Sequence, residues 1–404
     1  MSRRFYMERR NFIKSAAFGL SFLTGAAPGK GVLNDSPDNI QADLPRKRLR
    51  ELGIRIGTLE PGLFNAITDV EGVKVGHKTI IKGEGRMAVR TGITVILPHA
   101  DNIYEENVFA SCFNLNGWGE MTGAAAIEES GKLKTPVFLT GTYNVGIVYK
   151  AAVHYLSKVN PSMGDPDRTV APVVAECFDD DLSHTMSRQI TEKDVHQAID
   201  EAKDGPVEEG AVGGGTGMTS FDFKGGIGTS SRKVDDTHTV GVLVMTNTAS
   251  REELRIDGVP VGREVRGYEY VSGKTKSIIL VAATDAPLLP YQLRKIAKRV
   301  AMGLAQTGAI SHTGSGDIVL AFSTANKIMR KKPEAFHDMK AVNDSRMTPF
   351  YQATVEATQE AILNALTSAR TMVGRDGNTA YRIPLDQVVR IMKKYDRIGS
   401  TAYE

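Results

Sequence analysis

The chain has 404 residues, 41% hydrophobic and 24% charged, enough for one large domain or two smaller ones with a sizeable core. Fifty Lys and Arg against 47 Asp and Glu leave a formal charge of +3, which argues against both a nucleic-acid-binding and an acidic surface. Two cysteines, Cys112 and Cys177, exclude a disulfide framework while leaving a single bridge open, and 40 clustered glycines suggest tight backbone turns around a site.

Arg9-Arg10-Asn11-Phe12-Ile13-Lys14 opens the chain, followed by a weakly apolar run from Ser15 to Leu23. Paired arginines, an aromatic, an aliphatic and a lysine in this register match a twin-arginine export signal, and the apolar run is too short to span a bilayer. Residues 1–27 are therefore expected to be a signal peptide, with Ala26 or Ala27 as candidate cleavage points, and 28–45 a polar linker. Periplasmic or other export, with no stable membrane insertion, follows as an expectation. A single domain is expected over 46–404.

From Ile54 to Pro98 the pattern is strand-like, with short β runs at Asn65–Val70 and Gly72–Gly76 and a longer one at Thr91–Leu97, stopped by Pro98. Val137–Gly141 is a further strand, and Asn144 to Leu156 reads as a helix. Thr191 and Asp194 form a capping pattern that opens a helix to about Ala202. Thr239–Met245 and Ser277–Thr284 read as buried strands, and Ile318–Phe322 as another. Leu289, Leu293, Ile296, Val300 and Leu304 recur at helical spacing among basic residues, predicting an amphipathic helix, and a second long helix is expected from Thr348 to about Arg370. Strands mixed with helices place the chain in the α+β class or among layered α/β sandwiches.

There is no G-x-S-x-G elbow, the glycine needed upstream of Gly273-Lys274-Thr275 for a phosphate loop is Tyr268, and the scattered histidines disfavour a metal site. No cofactor is expected. Four segments remain. Val212–Met218, with Lys224–Gly228 soon after, would let backbone N–H groups approach a ligand or another strand, or simply form tight turns. Asn247, just past a strand, could donate to an oxyanion or cap a turn. Ser277 opens a buried strand directly after Lys276, so a break at Lys276–Ser277 would give one residue both a nucleophilic hydroxyl and a free amine. Ser315 and Asp317, in Thr313-Gly314-Ser315-Gly316-Asp317, could pair to orient a nucleophile or belong to a glycine-rich turn.

The segments Asn65–Val70 through His77, Asn116–Gly123, Pro172–Glu176, Val212–Met218, Asp257–Arg263, Ser277–Ile279 with Ala283–Pro287, and Ser315–Asp317 with Ala321–Asn326 together resemble the L-aminopeptidase/D-esterases and β-peptidyl aminopeptidases, the DmpA type of serine peptidase. The resemblance covers nearly the whole mature chain. It implies a four-layered α-β-β-α sandwich, similar to that of ornithine acetyltransferases, made as a precursor that cuts itself before the nucleophilic serine. Carried over, Ser277 is cleavage residue and nucleophile, giving chains 46–276 and 277–404. Asn247 matches the oxyanion-stabilising asparagine, Ser315 and Asp317 the pair near the nucleophile, and Glu176 the acid that holds the substrate's amino group. The resemblance implies a homo-oligomer that releases N-terminal residues from small peptides, amides or esters through an acyl-enzyme.

Two positions depart from that pattern. Family members commonly carry glycine or asparagine before the serine. Here it is Lys276, for which φ > 0 is costly, so cleavage is expected to be slower or absent. Tyrosine often lies two residues after the glutamate, and here it is Phe178, so the hydroxyl's contribution must come from elsewhere. Two other readings stay open. One is an acyltransferase of the ornithine acetyltransferase type, against which Ser277 (in place of threonine) and the export signal speak. The other is an unprocessed binding protein with the same fold.

Overall fold

Alternation along the strand Ser277–Thr284 divides the molecule's cores. Ile279, Val281 and Ala283 enter one apolar cluster, while Ile278, Leu280 and Ala282 enter another. The computed structural model describes residues 45–166, 168–268, 276–330 and 336–398. The signal expected over 1–27 and all but the last residue of the linker lie outside them. The described residues from Arg46 onward gather into one compact unit.

Two sheets stack face to face. The first has four strands in the order β1-β2-β5-β6: β1 (Lys74–Lys82), β2 (Val89–Leu97), β5 (Val137–Gly141) and β6 (Val173–Cys177). The second has six in the order β4-β3-β12-β11-β10-β9: β3 (Glu106–Gly117), β4 (Lys132–Leu133), β9 (Gly226–Lys233), β10 (Thr239–Asn247), β11 (Ser277–Thr284) and β12 (Gly316–Met329). The cluster between the sheets takes Leu139 and Ala175 from one side and Leu243, Met245, Ile279, Val281 and Leu320 from the other. Two helices, α2 (Val145–Val159) and α3 (Glu192–Asp200), cover the four-stranded sheet through Val148, Ala152, Val195 and Ala198. The outer face of the six-stranded sheet packs on α5 (Pro290–Gln306) and α6 (Thr348–Ser368). The result is the four-layered α-β-β-α sandwich. Shorter helices α1 (Ala124–Ser130), α4 (Val261–Glu264) and α7 (Leu385–Lys394) lie along the chain between these elements and after them.

Local signals account for the boundaries. Thr191 Oγ1 accepts the Asp194 N–H and the Asp194 carboxylate accepts the Thr191 N–H, a reciprocal cap that starts α3 where expected. The β run expected over Asn65–Val70 is not a strand. Ile67–Asp69 forms a 3-10 turn, because the Asp69 carboxylate captures the N–H groups of Phe64 and Ala66 while Asn65 adopts φ 48°. Strand β3 carries no clean alternation at its polar end and is not among the expected elements. The bridge left open between Cys112 and Cys177 is not formed. Both thiols are free and buried, and Cys177 Sγ donates to the Met245 carbonyl at 3.7 Å, tying β6 to β10.

The glycine tract at Gly213–Gly217 serves packing. A Cβ on Gly214 would meet the Leu139 carbonyl oxygen at 2.6 Å and Met245 Sδ at 2.9 Å, so only glycine lets this turn pass between the sheets.

Candidate active site

Register brings the predicted residues together. Asn247 pairs with Ser277 across the antiparallel β10–β11 ladder, Ser277 with Gly316 across the parallel β11–β12 ladder, and Gly316 with Gly117 across β12–β3. One row at the end of the six-stranded sheet therefore carries Asn247, Ser277 and the Ser315–Asp317 turn. Ser277 shares the parity of Ile279 and Val281, and Asn247 that of Met245, so both side chains stand on the face opposed to the other sheet.

Ser277 is 3% exposed. Its Oγ donates to the carbonyl oxygen of Lys276 at 2.6 Å and accepts the Gly316 N–H at 3.2 Å. The hydroxyl thus lies against the peptide group that precedes it. Lys276 is itself buried, and its Nζ pairs with Asp222 Oδ1 at 3.1 Å. Ser315 Oγ donates to Asp317 Oδ1 at 2.6 Å, and both are fully buried. Burial pushes the Asp317 carboxyl above its ordinary range, against the hydroxyls of Ser315 and Ser311, which favour the charge. This pair reaches Ser277 through the intervening Gly316 N–H.

Asn247 is held at both ends of its amide. Oδ1 accepts the Thr219 N–H at 3.0 Å, and Nδ2 donates to the Phe178 carbonyl at 2.9 Å. Thr219 belongs to a hairpin of β7 (Thr219–Ser220) and β8 (Phe223–Lys224). Lys224 fixes that hairpin from within: its buried ammonium donates to the carbonyls of Gly215, Met218 and Gly225 at 3.2, 2.6 and 2.8 Å.

Glu176 sits on β6 in the facing sheet, 6% exposed. Its Oε1 accepts the Glu120 N–H at 3.0 Å and its Oε2 accepts the Thr142 hydroxyl. Burial pushes its carboxyl above the ordinary range, the two hydrogen bonds pull it back, and the Glu120 carboxylate adds to the rise. Glu176 and Ser277 line one pocket of about 390 Å³, with Gly117–Gly119 on one flank and Thr142, Tyr143 and Phe178 on another. Phe178 meets Tyr143 edge-on at 5.5 Å, and among the described residues lining the pocket Tyr143 is the one that carries a phenol. Trp118, the only tryptophan of the chain, stands 75% exposed at this pocket. Gly119 passes close to Gly316, its hypothetical Cβ 3.1 Å from Gly316 Cα and 3.4 Å from Glu176 Oε1, so the two sides of the pocket can approach only over glycine.

All six predicted positions, Glu176, Asn247, Lys276, Ser277, Ser315 and Asp317, fall in this region. Reading the residues one by one missed Thr142, Thr219 and Asp222, and it named Lys224 and Gly316 only as members of glycine-rich segments, because their roles arise from hydrogen bonds between distant segments. Among the described residues one group of possible metal ligands converges, His99, Asp101 and Glu106, and the Lys327 ammonium already pairs with both of its carboxylates.

Known proteins carry the same arrangement of chain. The model of peptidase family S58 matches residues 65–380. A β-peptidyl aminopeptidase of Sphingosinicella xenopeptidilytica is 41% identical over 375 residues, covering 87% of this chain and 92% of the relative. The solved β-aminopeptidase of a Burkholderia species superposes with a TM-score of 0.81 at 39% identity, over 86% of this chain and 99% of that one. The L-aminopeptidase D-Ala-esterase/amidase of Ochrobactrum anthropi, described as a variant of the Ntn hydrolase fold, does so with a TM-score of 0.81 at 38% identity, over 87% and 99%.

Proposed function

The chain belongs to peptidase family S58 and is an aminopeptidase, a hydrolase of peptide bonds, and we propose that it cuts itself between Lys276 and Ser277 and uses the freed N-terminal serine as its nucleophile. The observation that carries this reading is the placement of one hydroxyl. Ser277 Oγ lies 2.6 Å from the oxygen of the carbonyl it would attack, in the same pocket as a buried carboxylate suited to an ammonium group.

Before cleavage the Ser277 nitrogen is an amide and has no basicity to offer. After cleavage it is an α-amine with a reference pKa of about 7.7–8.0, able to take the hydroxyl proton on the same residue. The serine attacks the substrate carbonyl, the oxyanion forms beside Asn247, and an acyl-enzyme results that water then hydrolyses. One Nδ2 hydrogen of Asn247 is held by the Phe178 carbonyl, which fixes the amide and leaves the second hydrogen for the oxyanion. The Ser315–Asp317 pair, acting through the Gly316 turn, orients Ser277. Glu176 binds the substrate's free ammonium by a charge-assisted hydrogen bond and thereby restricts cutting to the N-terminal residue. The substrates are small peptides, amides or esters with a free amino end, and the names of the relatives make β-amino acid amides the first to compare with α-amino acid amides. Export by the twin-arginine route and assembly into a homo-oligomer of processed pairs complete the proposal.

Intact mass of the purified protein tests it. Wild type should yield two chains meeting at Lys276–Ser277, and Ser277→Ala a single uncut chain. A wild type that stays uncut, with the same mass pattern as Ser277→Ala, overturns the self-processing reading.

A further inference from the structure

Lys276 is one of the two positions at which this chain departs from the family pattern, and its side chain is not idle. Its ammonium is buried and paired with Asp222 Oδ1 at 3.1 Å, while Asp222 Oδ2 accepts the Arg251 N–H at 2.9 Å. Asp222 lies at the tip of the β7–β8 hairpin, where Phe221 and Asp222 both adopt left-handed backbone, φ 51° and 57°. Two such residues in succession make the two-residue turn whose twist matches a β-hairpin, a conformation that usually recruits glycine or asparagine. Here Phe221 is locked instead by its fully buried ring and by its N–H on the Thr248 carbonyl at 2.7 Å.

The same hairpin touches the site twice. Its first strand presents the Thr219 N–H to Asn247 Oδ1, and its tip presents Asp222 to Lys276. Its base is clamped by the three carbonyl bonds of Lys224. One rigid element thus sets both the amide beside the nucleophile and the residue that donates the carbonyl to be attacked. A buried ion pair contributes little to stability over an apolar pair of similar volume, because desolvation offsets the attraction, but it fixes geometry.

We propose that Asp222 is a positioning residue for self-cleavage, holding Lys276 through its ammonium so that the Lys276 carbonyl stays against Ser277 Oγ. The proposal rests on the self-processing reading above. Glycine or asparagine before the serine gives a peptide bond freedom to reach the strained geometry of attack, whereas lysine trades that freedom for a charged handle that the hairpin grips. In the step itself, Ser277 Oγ bonds to the Lys276 carbonyl carbon, the bond from that carbon to the Ser277 nitrogen breaks, and the hydroxyl proton ends on the departing nitrogen. One water then splits the ester into the Lys276 carboxylate and the free Ser277 hydroxyl, releasing one proton.

The test is a pulse–chase in cell-free translation of the full chain, with cleavage at 276–277 read by mass. Wild type should cut. Asp222→Asn, which removes the charge at constant shape, should cut roughly 10²-fold more slowly, the scale expected for a misplaced reacting group. Asp222→Asn combined with Lys276→Gly should recover the wild-type rate, because glycine needs no grip, and Asp222→Glu should fall between. Equal rates for wild type and Asp222→Asn overturn the positioning role while leaving self-processing standing. Failure of the double variant to recover overturns it too, since Asp222 would then serve only the fold. A wild type that never cuts sinks the underlying reading and the inference together.

Discussion

The role of Glu176 is open to a sharp test, because glutamine reproduces its shape and removes its charge. Glu176 is 6% exposed and held by the Glu120 N–H at 3.0 Å and by the Thr142 hydroxyl. In Glu176→Gln the amide oxygen can keep the Glu120 bond, and the Thr142 hydroxyl can turn to accept from the new NH₂ group, so the pocket should hold its form. What disappears is the partner of the substrate ammonium. A hydrogen bond to a charged group contributes about 1.5–3 kcal/mol, which at about 1.4 kcal/mol per tenfold predicts a fall in kcat/KM of about 10- to 150-fold. The assay compares an amino acid p-nitroanilide with its N-acetylated form on wild type and variant. Wild type should prefer the free amine by a factor in that range, and Glu176→Gln should lose the preference while leaving the slow turnover of the acetylated form unchanged. A variant that slows both substrates by the same factor would refute amine pairing, since it would show that Glu176 acts on the pocket and not on the ammonium.

Three other substitutions probe the surroundings. Asn247→Ala should lower kcat by about 10²–10³ with a smaller change in KM; a change confined to KM would remove the oxyanion role. Gly119→Ala forces a Cβ to 3.1 Å from Gly316 Cα and 3.4 Å from Glu176 Oε1. It should cost about 1–3 kcal/mol in thermal unfolding and depress kcat/KM on free-amine substrates more than on acetylated ones, whereas wild-type selectivity would speak against the close approach as a pocket determinant. Asp179 follows Phe178, is buried, and has its carboxyl pushed up to about 7 by burial, against a hydrogen bond from Thr91. Because the folded value is raised, its contribution to stability is complete below the unfolded value near 4 and is lost as pH rises through about 7. Asp179→Asn should therefore gain stability relative to wild type between pH 5 and pH 9, by about 3 kcal/mol for the two pH units between 5 and about 7, and a gap between the two melting curves that does not change with pH would contradict the protonated carboxyl.

The parts of this molecule that could be read in the sequence are those whose physics is local. Short, largely apolar runs marked β5, β10 and β11, the Thr191–Asp194 cap marked the start of α3, and helical spacing of Leu293, Ile296, Val300 and Leu304 marked α5. Asn65–Val70 failed because strand-like composition there yields to side-chain capping by Asp69, a competition that propensity alone does not weigh. The candidate site was half legible in the same sense. Asn247, Ser277 and Ser315–Asp317 each carry a bland local reading, and what joins them is a ladder register spanning residues 247, 277 and 316. Register is decided by which face each strand buries, because a slip of one residue would exchange the two cores of β11 and turn Ser277 toward the helices. The apolar pattern Ile278 to Ala283, which reads merely as a buried strand, is thus what aims the hydroxyl into the pocket. Lys276 shows the opposite limit. Alone it reads as an obstacle to cleavage, and only the hairpin folded back from residues 219–224 reveals a carboxylate waiting for its charge.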